Sequence, residues 1–344
     1  MKESKEKDNN ICCLGIESTA HTFGCSIIQF DSIKKKGEIL SEIRSTYKAP
    51  NGTGIHPREA SRHHIDKAPN LLRDVLKKAN IKTKEIDLIS YSAGPGLGPC
   101  LRVGAVIARA LSSFYNIPLI PVNHALGHIE LGMMLTTCKD PLVLLVSGGH
   151  TMILAFSNKR WRVFGETLDI TIGQLLDQIG RYIGFASPCG NRIEEYANQS
   201  SKQYFQLPYI VKGNDVSFSG ILTATKKLID NGYNKFDTCF SLQETAFAML
   251  TEVIERALSF TEKKEVLIVG GVSANNRLSS MLKIASKRQN AKLYTCPFHY
   301  SGDNGAQIAW TGICDNVSSG KTIKVQDSFV KQSWRIDKVE VHWR

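Results

Sequence analysis

No apolar run in this chain reaches the length that a membrane-spanning helix needs. No two of its nine cysteines are spaced C-x-x-C, and their intervals follow no regular pattern. Most of them sit in apolar or small-residue runs, as Cys12, Cys13 and Cys25 do. That suits buried thiols in a reducing compartment, so a cytoplasmic location is expected and the nucleus is left open. The first ten residues, MKESKEKDNN, lack the apolar stretch of a secretion signal and read as a disordered tip, residues 1–10. No low-complexity linker divides the rest. Acidic residues are in deficit, 32 against 43 lysines and arginines, for a net charge of +11. A basic balance favours polyanionic partners, although a lysine-rich surface with no such role gives the same number. What is present suffices for a substantial core: 344 residues, 42% of them hydrophobic.

The pattern along the chain is α/β. ICCLGIES, GCSIIQF and EILSEIRSTY read as three strands, followed by a helix that begins near Pro57 and contains Pro69. IDLISYSAG is a strand, a glycine-rich turn leads into a helix, IPLIPVN is a strand, and His124 opens the next helix. PLVLLVSGG, HTMILAF and RWRVFGETL then repeat the three strands, and helices and strands alternate again from about Thr171. Two similar α/β lobes are expected, with a ligand cleft between them. The boundaries read as 11–118 for the first lobe and 119–302 for the second, with a helical insertion over roughly 185–259. Residues 303–344 return to the first lobe.

Three turns have the composition of phosphate loops. Glu17-Ser18-Thr19-Ala20 lies between two strands, Ser147-Gly148-Gly149 occupies the equivalent place in the second lobe, and Gly270-Gly271 follows a later strand. Asn275 can cap the helix that comes next or bind a ligand. An ordinary tight hairpin explains any one of these turns. Together they resemble the phosphate and adenosine elements of the actin, Hsp70 and sugar-kinase superfamily.

In VNHALGHIELG, His124 and His128 fall on one face of a helix, where two neutral imidazoles can reach one divalent ion. A pair of core or capping histidines is the alternative. A zinc protease of the H-E-x-x-H type is excluded, because Ala125 stands where the general-base glutamate must be. Asp303, in SGDNGAQIAW, is the candidate third ligand, unless it merely caps the helix that follows.

At nearly full length the chain resembles the tRNA N6-adenosine threonylcarbamoyltransferase family. The motifs are GIHPREASRHH, AGPGLGPCLRVGA, VNHALGHIE, VSGGHT, FGETLD, LPYIVKGNDVSFSGIL, SLQETAFAMLTE, GGVSANNRL, DNGAQIAW and DKVEVHWR, in family order from Leu14 to Arg344. Its archaeal and eukaryotic branch is the catalytic subunit of the KEOPS complex, once labelled an O-sialoglycoprotein endopeptidase.

The resemblance implies a two-lobed actin/Hsp70/sugar-kinase-like fold with duplicated RNase H-like lobes. It implies transfer of threonylcarbamoyl from its adenylate to N6 of the adenosine next to the anticodon, in tRNAs that read A-starting codons. It places one iron or zinc ion on His124, His128 and Asp303. It places the adenine nucleotide on Leu145, Val146, Ser147, Gly148, Gly149, Asp177, Gly190, Glu194 and Asn275. On this reading the N–H groups of Ser147 to Gly149 stabilise developing charge, Asp177 and Glu194 hold ribose hydroxyls, and no residue is assigned as the base for N6. The implied partners are tRNA, a kinase-like activating subunit, and a small dimerisation subunit docked on the first-lobe helices; no membrane is involved. Lys67, Arg73, Lys77, Lys78, Lys82 and Lys84 are the candidate tRNA contacts, or else a solvated helix face.

Three positions depart from the family pattern. Leu145 replaces a tyrosine that can touch the metal, Cys189 replaces a glycine in the Pro188-Cys189-Gly190 turn, and the first turn reads ESTA. A small-molecule kinase of the same fold, a metal-dependent endopeptidase and a non-catalytic scaffold stand as rival functions.

Overall fold

The computed structural model describes residues 10–344. The polar tip lies outside them, apart from Asn10, which already begins the first strand. The chain forms two compact units. One holds the residues up to Tyr47, His56–Met134 and Asp303–Arg344, and the other holds Lys48–Ile55 and Leu135–Gly302.

In the first unit, β1 (Asn10–Glu17), β2 (Thr22–Asp31) and β3 (Lys36–Thr46) form an antiparallel meander. Next come α1 (Pro57–Ala79), β4 (Leu88–Gly94), α2 (Gly98–Tyr115), β5 (Leu119–Asn123) and α3 (His124–Leu135). β4 and β5 add in parallel beside β1, giving the order β3-β2-β1-β4-β5.

The second unit repeats this plan. β6 (Leu142–Val146), β7 (Thr151–Ser157) and β8 (Arg160–Glu166) are the meander. Then follow α4 (Ile172–Tyr182), α5 (Gly190–Asn198), a small hairpin of β9 (Val211–Lys212) and β10 (Asp215–Val216), α6 (Ser219–Asp230) and α7 (Lys235–Thr261). β11 (Glu265–Val269), α8 (Asn276–Arg288), β12 (Lys292–Thr295) and the single turn α9 (Phe298–Ser301) complete it. The order β12-β11-β6-β7-β8 is the first sheet's order with β6 in the place of β1. The duplication is therefore one of topology. α10 (Gly305–Ser319) then returns to the first unit.

One sequence-based boundary moves. β5 and α3, expected to open the second lobe at residue 119, belong to the first unit, because β5 pairs with β4 from Ile89↔Leu119 onward. β4, α2 and β5 make one parallel crossover, which must end in the sheet where it began. The segment 185–259, expected as an insertion, supplies much of the second core. α7 buries Leu242, Phe247, Leu250 and Ile254 against Leu142, Leu144 and Val146 of β6. α1 runs on through Pro69, whose ring sits on the exposed face.

Alternation along β1 sets the first core. Leu14 and Ile16 face the hydrophobic cluster that contains Ala68 and Val75 of α1 and Ala105 and Ala108 of α2. Gly15 faces the opposite way, where α10 lies. A Cβ at Gly15 would stand 2.2 Å from the Gly305 carbonyl oxygen, and one at Gly305 would stand 2.4 Å from the Ser26 nitrogen. Glycine at both positions lets the start of α10 rest directly on the backbone of the sheet. On the same unit the chain's last residues hold α3: Trp343 Nε1 donates to Glu130 Oε2 at 3.1 Å, and Arg344 Nε donates to Glu130 Oε1 at 3.2 Å.

α1 also buries His64 beside Phe23, with ring centroids 5.6 Å apart. Burial, reinforced by neighbouring His63, pushes its pKa down to about 4. An unfolded histidine takes a proton near pH 6.5, which the folded one refuses until near 4. Native stability therefore falls as pH drops through that window, by up to roughly 3 kcal/mol. His64→Gln should flatten the decline of Tm between pH 7 and 4.5, and an unchanged slope would refute this assignment.

Candidate metal centre and glycine cradle

α3 starts directly at the end of β5, so His124 lies in its first turn and His128 one turn further on. Both are buried, with ring centroids 4.7 Å apart and planes at 83°. Asp303 immediately precedes α10. It is not the cap of that helix: Asn304 takes that role, its side chain accepting the Gln307 N–H at 3.0 Å. The glycine contacts under α10 set Asp303 beside the imidazoles. Its Oδ1 lies 3.3 Å from His128 Nε2 and 3.6 Å from His124 Nε2. One ligand-type atom from each of the three residues lies within 4.8 Å of the other two.

A fourth residue prepares the group. Glu17, wholly buried at the end of β1, places Oε2 2.9 Å from His124 Nδ1, and its Oε1 accepts the Thr19 N–H at 2.6 Å. Gln307 Nε2 donates to Glu17 Oε2 at 3.4 Å. A carboxylate on Nδ1 keeps a proton there and turns Nε2 toward Asp303. Burial lowers the His124 pKa, but the charge of Glu17 and then of Asp303 outweighs it and lifts the value to about 9. His128 goes the other way, pushed down by burial. Burial raises Asp303, yet the facing histidines hold it well below the usual carboxylate range. His128 Nε2 is buried and has no hydrogen-bond partner, its approach to Asp303 being misaligned. An orphaned imidazole nitrogen, an oriented imidazole and a carboxylate form a donor set that suits iron or zinc.

Glu17 and Gln307 were not read from the sequence as parts of this site. The ESTA turn, which has the composition of a phosphate loop or of an ordinary hairpin, is bonded here within the protein. Ser18 and Thr19 are buried, the Ser18 N–H donates to Ser92 Oγ at 3.0 Å, and Glu17 serves His124. The only local signal for Glu17 was a carboxylate at the end of an otherwise apolar strand.

The expected nucleotide residues lie in the second unit, around the carboxyl ends of β6 and β11, where parallel α/β sheets place their ligands. Leu145 and Val146 are wholly buried within β6. The N–H groups expected to stabilise charge are largely used within their own turn. Ser147 N–H donates to the His150 carbonyl at 2.8 Å, and Gly149 N–H donates to Ser147 Oγ at 3.2 Å. Asp177 Oδ1 accepts the Cys189 N–H at 2.6 Å, and Glu194 Oε1 accepts the Asn276 N–H at 2.9 Å. Asn275 caps α8, accepting from Arg277 N–H and Leu278 N–H, while its Nδ2 donates to Gln243 Oε1 at 2.7 Å. Cys189 points inward, where Gly180 makes room: a Cβ there would lie 2.2 Å from that of Cys189. Burial pushes its thiol up to about 11, so it is an inert packing group.

The glycines divide into two kinds. Gly270, at φ +93°, is required by the fold, since a Cβ would sit 2.4 Å from the Val146 carbonyl oxygen. Gly148, Gly190 and Gly271 have no positive φ, and a Cβ on any of them would meet no protein atom within 4 Å. Neither backbone conformation nor packing calls for glycine at these three places. Each therefore has open space on its Cα.

Residues 38–310 match the family described as TsaD, tRNA N6-adenosine threonylcarbamoyltransferase. The chain is 48% identical over 330 residues to the protein of that name from Caldivirga maquilingensis, covering 96% of this chain and 97% of the relative. It is 48% identical over 337 residues to that of Staphylothermus marinus, covering 96% and 99%. It is also similar to a probable bifunctional tRNA threonylcarbamoyladenosine biosynthesis protein of Methanocaldococcus jannaschii, with 47% identity over 96% of this chain and 60% of that one. Among solved structures, HypF of T. kodakarensis aligns over 89% of this chain and 47% of its own, at a TM-score of 0.59 and 14% identity. The (R)-2-hydroxyglutaryl-CoA dehydratase component A of Acidaminococcus fermentans aligns over 88% and 97%, at 0.53 and 14%. At such identities these two show the fold alone, an actin-like one. Among the described residues no helix is long and apolar enough to cross a membrane. By its sequence, this chain belongs to the tRNA N6-adenosine threonylcarbamoyltransferase family.

Proposed function

We propose that the protein transfers the threonylcarbamoyl group from threonylcarbamoyl-adenylate to N6 of the adenosine next to the anticodon of tRNAs reading A-starting codons, releasing AMP. The observation that carries this reading, beside family membership, is the buried trio of His124, His128 and Asp303 with Glu17 behind it. A small-molecule kinase has no use for such a trio. The three side chains would hold one iron or zinc ion, and Leu145 supplies no further donor. An ion bound there supplies Lewis-acid polarisation of an acyl or phosphoryl oxygen. Glu17 keeps the Nε2 of His124 available. Gly148, Gly190 and Gly271 leave the space into which the adenylate fits. Ordering acyl donor and acceptor together provides much of the rate for a nucleophile as weak as an adenine amino group.

Lys67, Arg73, Lys77, Lys78, Lys82 and Lys84 are all exposed and would meet tRNA phosphates, which makes binding salt-sensitive. Within a KEOPS assembly a separate kinase-like chain would activate the enzyme, and a small dimerisation subunit would dock on the helices of the first unit. All nine cysteines are free, in keeping with the cytoplasm.

The deciding experiment incubates metal-loaded protein with threonylcarbamoyl-adenylate and unmodified tRNA, with and without partner subunits, and reads the digested nucleosides by mass spectrometry. Threonylcarbamoyladenosine that appears and then disappears with chelator supports the proposal. None in the presence of all partners rejects it.

A further inference from the structure

We propose that His21 is a positioning residue of the metal centre, holding the outer oxygen of Asp303 as Glu17 holds His124. This rests on the metal reading above and extends it to a side chain in the turn between β1 and β2. The backbone of His21 is anchored, its carbonyl accepting the Tyr47 N–H at 2.8 Å. The ring is about a quarter exposed, at 24%, but Nδ1 is turned inward, buried, and without a hydrogen-bond partner. It lies 3.8 Å from Asp303 Oδ2.

The two oxygens of Asp303 thus face different partners. Oδ1 looks to the Nε2 atoms of His124 and His128, and Oδ2 looks to His21. Two buried imidazole nitrogens with no partner of their own, His128 Nε2 and His21 Nδ1, converge on one carboxylate. Leaving such atoms unpaired is costly, so their convergence marks a place whose bonding is completed with a ligand present. His21 is not itself a ligand, since it stands outside the group whose donor atoms lie mutually within 4.8 Å. Its role is to keep Asp303 from rotating, so that Oδ1 alone serves the ion. At 3.8 Å the Nδ1–Oδ2 pair is beyond hydrogen-bond length, and the inference is that it closes when the cation is bound.

The test measures zinc affinity of the full-length protein by competition with a chelator, zinc being the only added ligand. His21→Ala should weaken zinc binding about 10- to 100-fold, the usual effect of removing a residue that orients a ligand. His21→Asn places an amide near the position of Nδ1 and should recover most of the loss. His21→Phe keeps the ring's volume without its nitrogens and should behave like His21→Ala. Thermal unfolding of the metal-free variants should match wild type, a result that a merely structural role would not give. Affinity within twofold of wild type for His21→Ala and His21→Phe overturns the inference. So does an Asn variant no better than Ala, or a loss matched by metal-free destabilisation. If the wild-type protein itself takes up no zinc or iron, the metal reading fails first, and this inference fails with it.

Discussion

His128→Ala should leave the protein folded, lower its divalent-metal content from about one per chain to near zero, and abolish tRNA modification. The argument is one of partners. His128 Nε2 makes no aligned hydrogen bond, and after truncation Asp303 still faces His124 and His21. The cost is a small cavity beside α3, about 1–3 kcal/mol. Removing one of three ligands should cost more than the tenfold to hundredfold typical of residues that only orient a ligand. His124→Ala reads less cleanly, because it also strips Glu17 Oε2 of its imidazole partner. A buried carboxylate left without its cation costs about 3–5 kcal/mol, so loss of activity there mixes chemistry with folding. Metal analysis alongside thermal unfolding separates the two variants. A His128→Ala protein that keeps both its metal and its turnover removes the site from the mechanism.

Gly148→Val should weaken AMP binding, and its combination with Gly190→Val should abolish it, while Tm stays within a degree or two of wild type. The added Cβ atoms meet no protein atom within 4 Å, so they bring no clash to the folded state. They would occupy instead the space that the proposed function assigns to the nucleotide. Overpacking of this kind costs about 1–3 kcal/mol per site, or roughly ten- to hundredfold in affinity for each substitution. Gly270→Ala should show the opposite pattern. Its φ of +93° and the Val146 carbonyl 2.4 Å from the new carbon make it a folding lesion, worth several kcal/mol. Titration calorimetry with AMP and thermal unfolding on the three proteins decide the matter. Undiminished AMP binding by the double variant would show that the cradle is no nucleotide site.

Much of this was written locally in the chain. Alternation marked the strands, helical period put His124 and His128 on one face, and the order of elements announced a repeated plan. Those are short-range properties, carried by a few consecutive side chains and by backbone geometry. Where the reading went astray, the deciding neighbour was remote in sequence. β5 looked like the start of a second lobe until its pairing with β4 showed which sheet it completes.

By itself, then, the sequence determined the α/β class, the duplicated element order, the histidine pair and membership of the family. Tertiary structure alone decided which carboxylate serves which imidazole. Asp303 and Asn304 are equally plausible helix caps on paper. The choice between them came from glycine contacts between α10 and the sheet, which fix where the chain enters that helix. Glu17 and His21 belong to a turn that reads as a phosphate loop, and only the folded sheet brings that turn to His124 and Asp303. The physical reason is common to all of these cases. Periodicity encodes the direction in which a side chain points, whereas the partner it meets there depends on long-range packing that no local window contains.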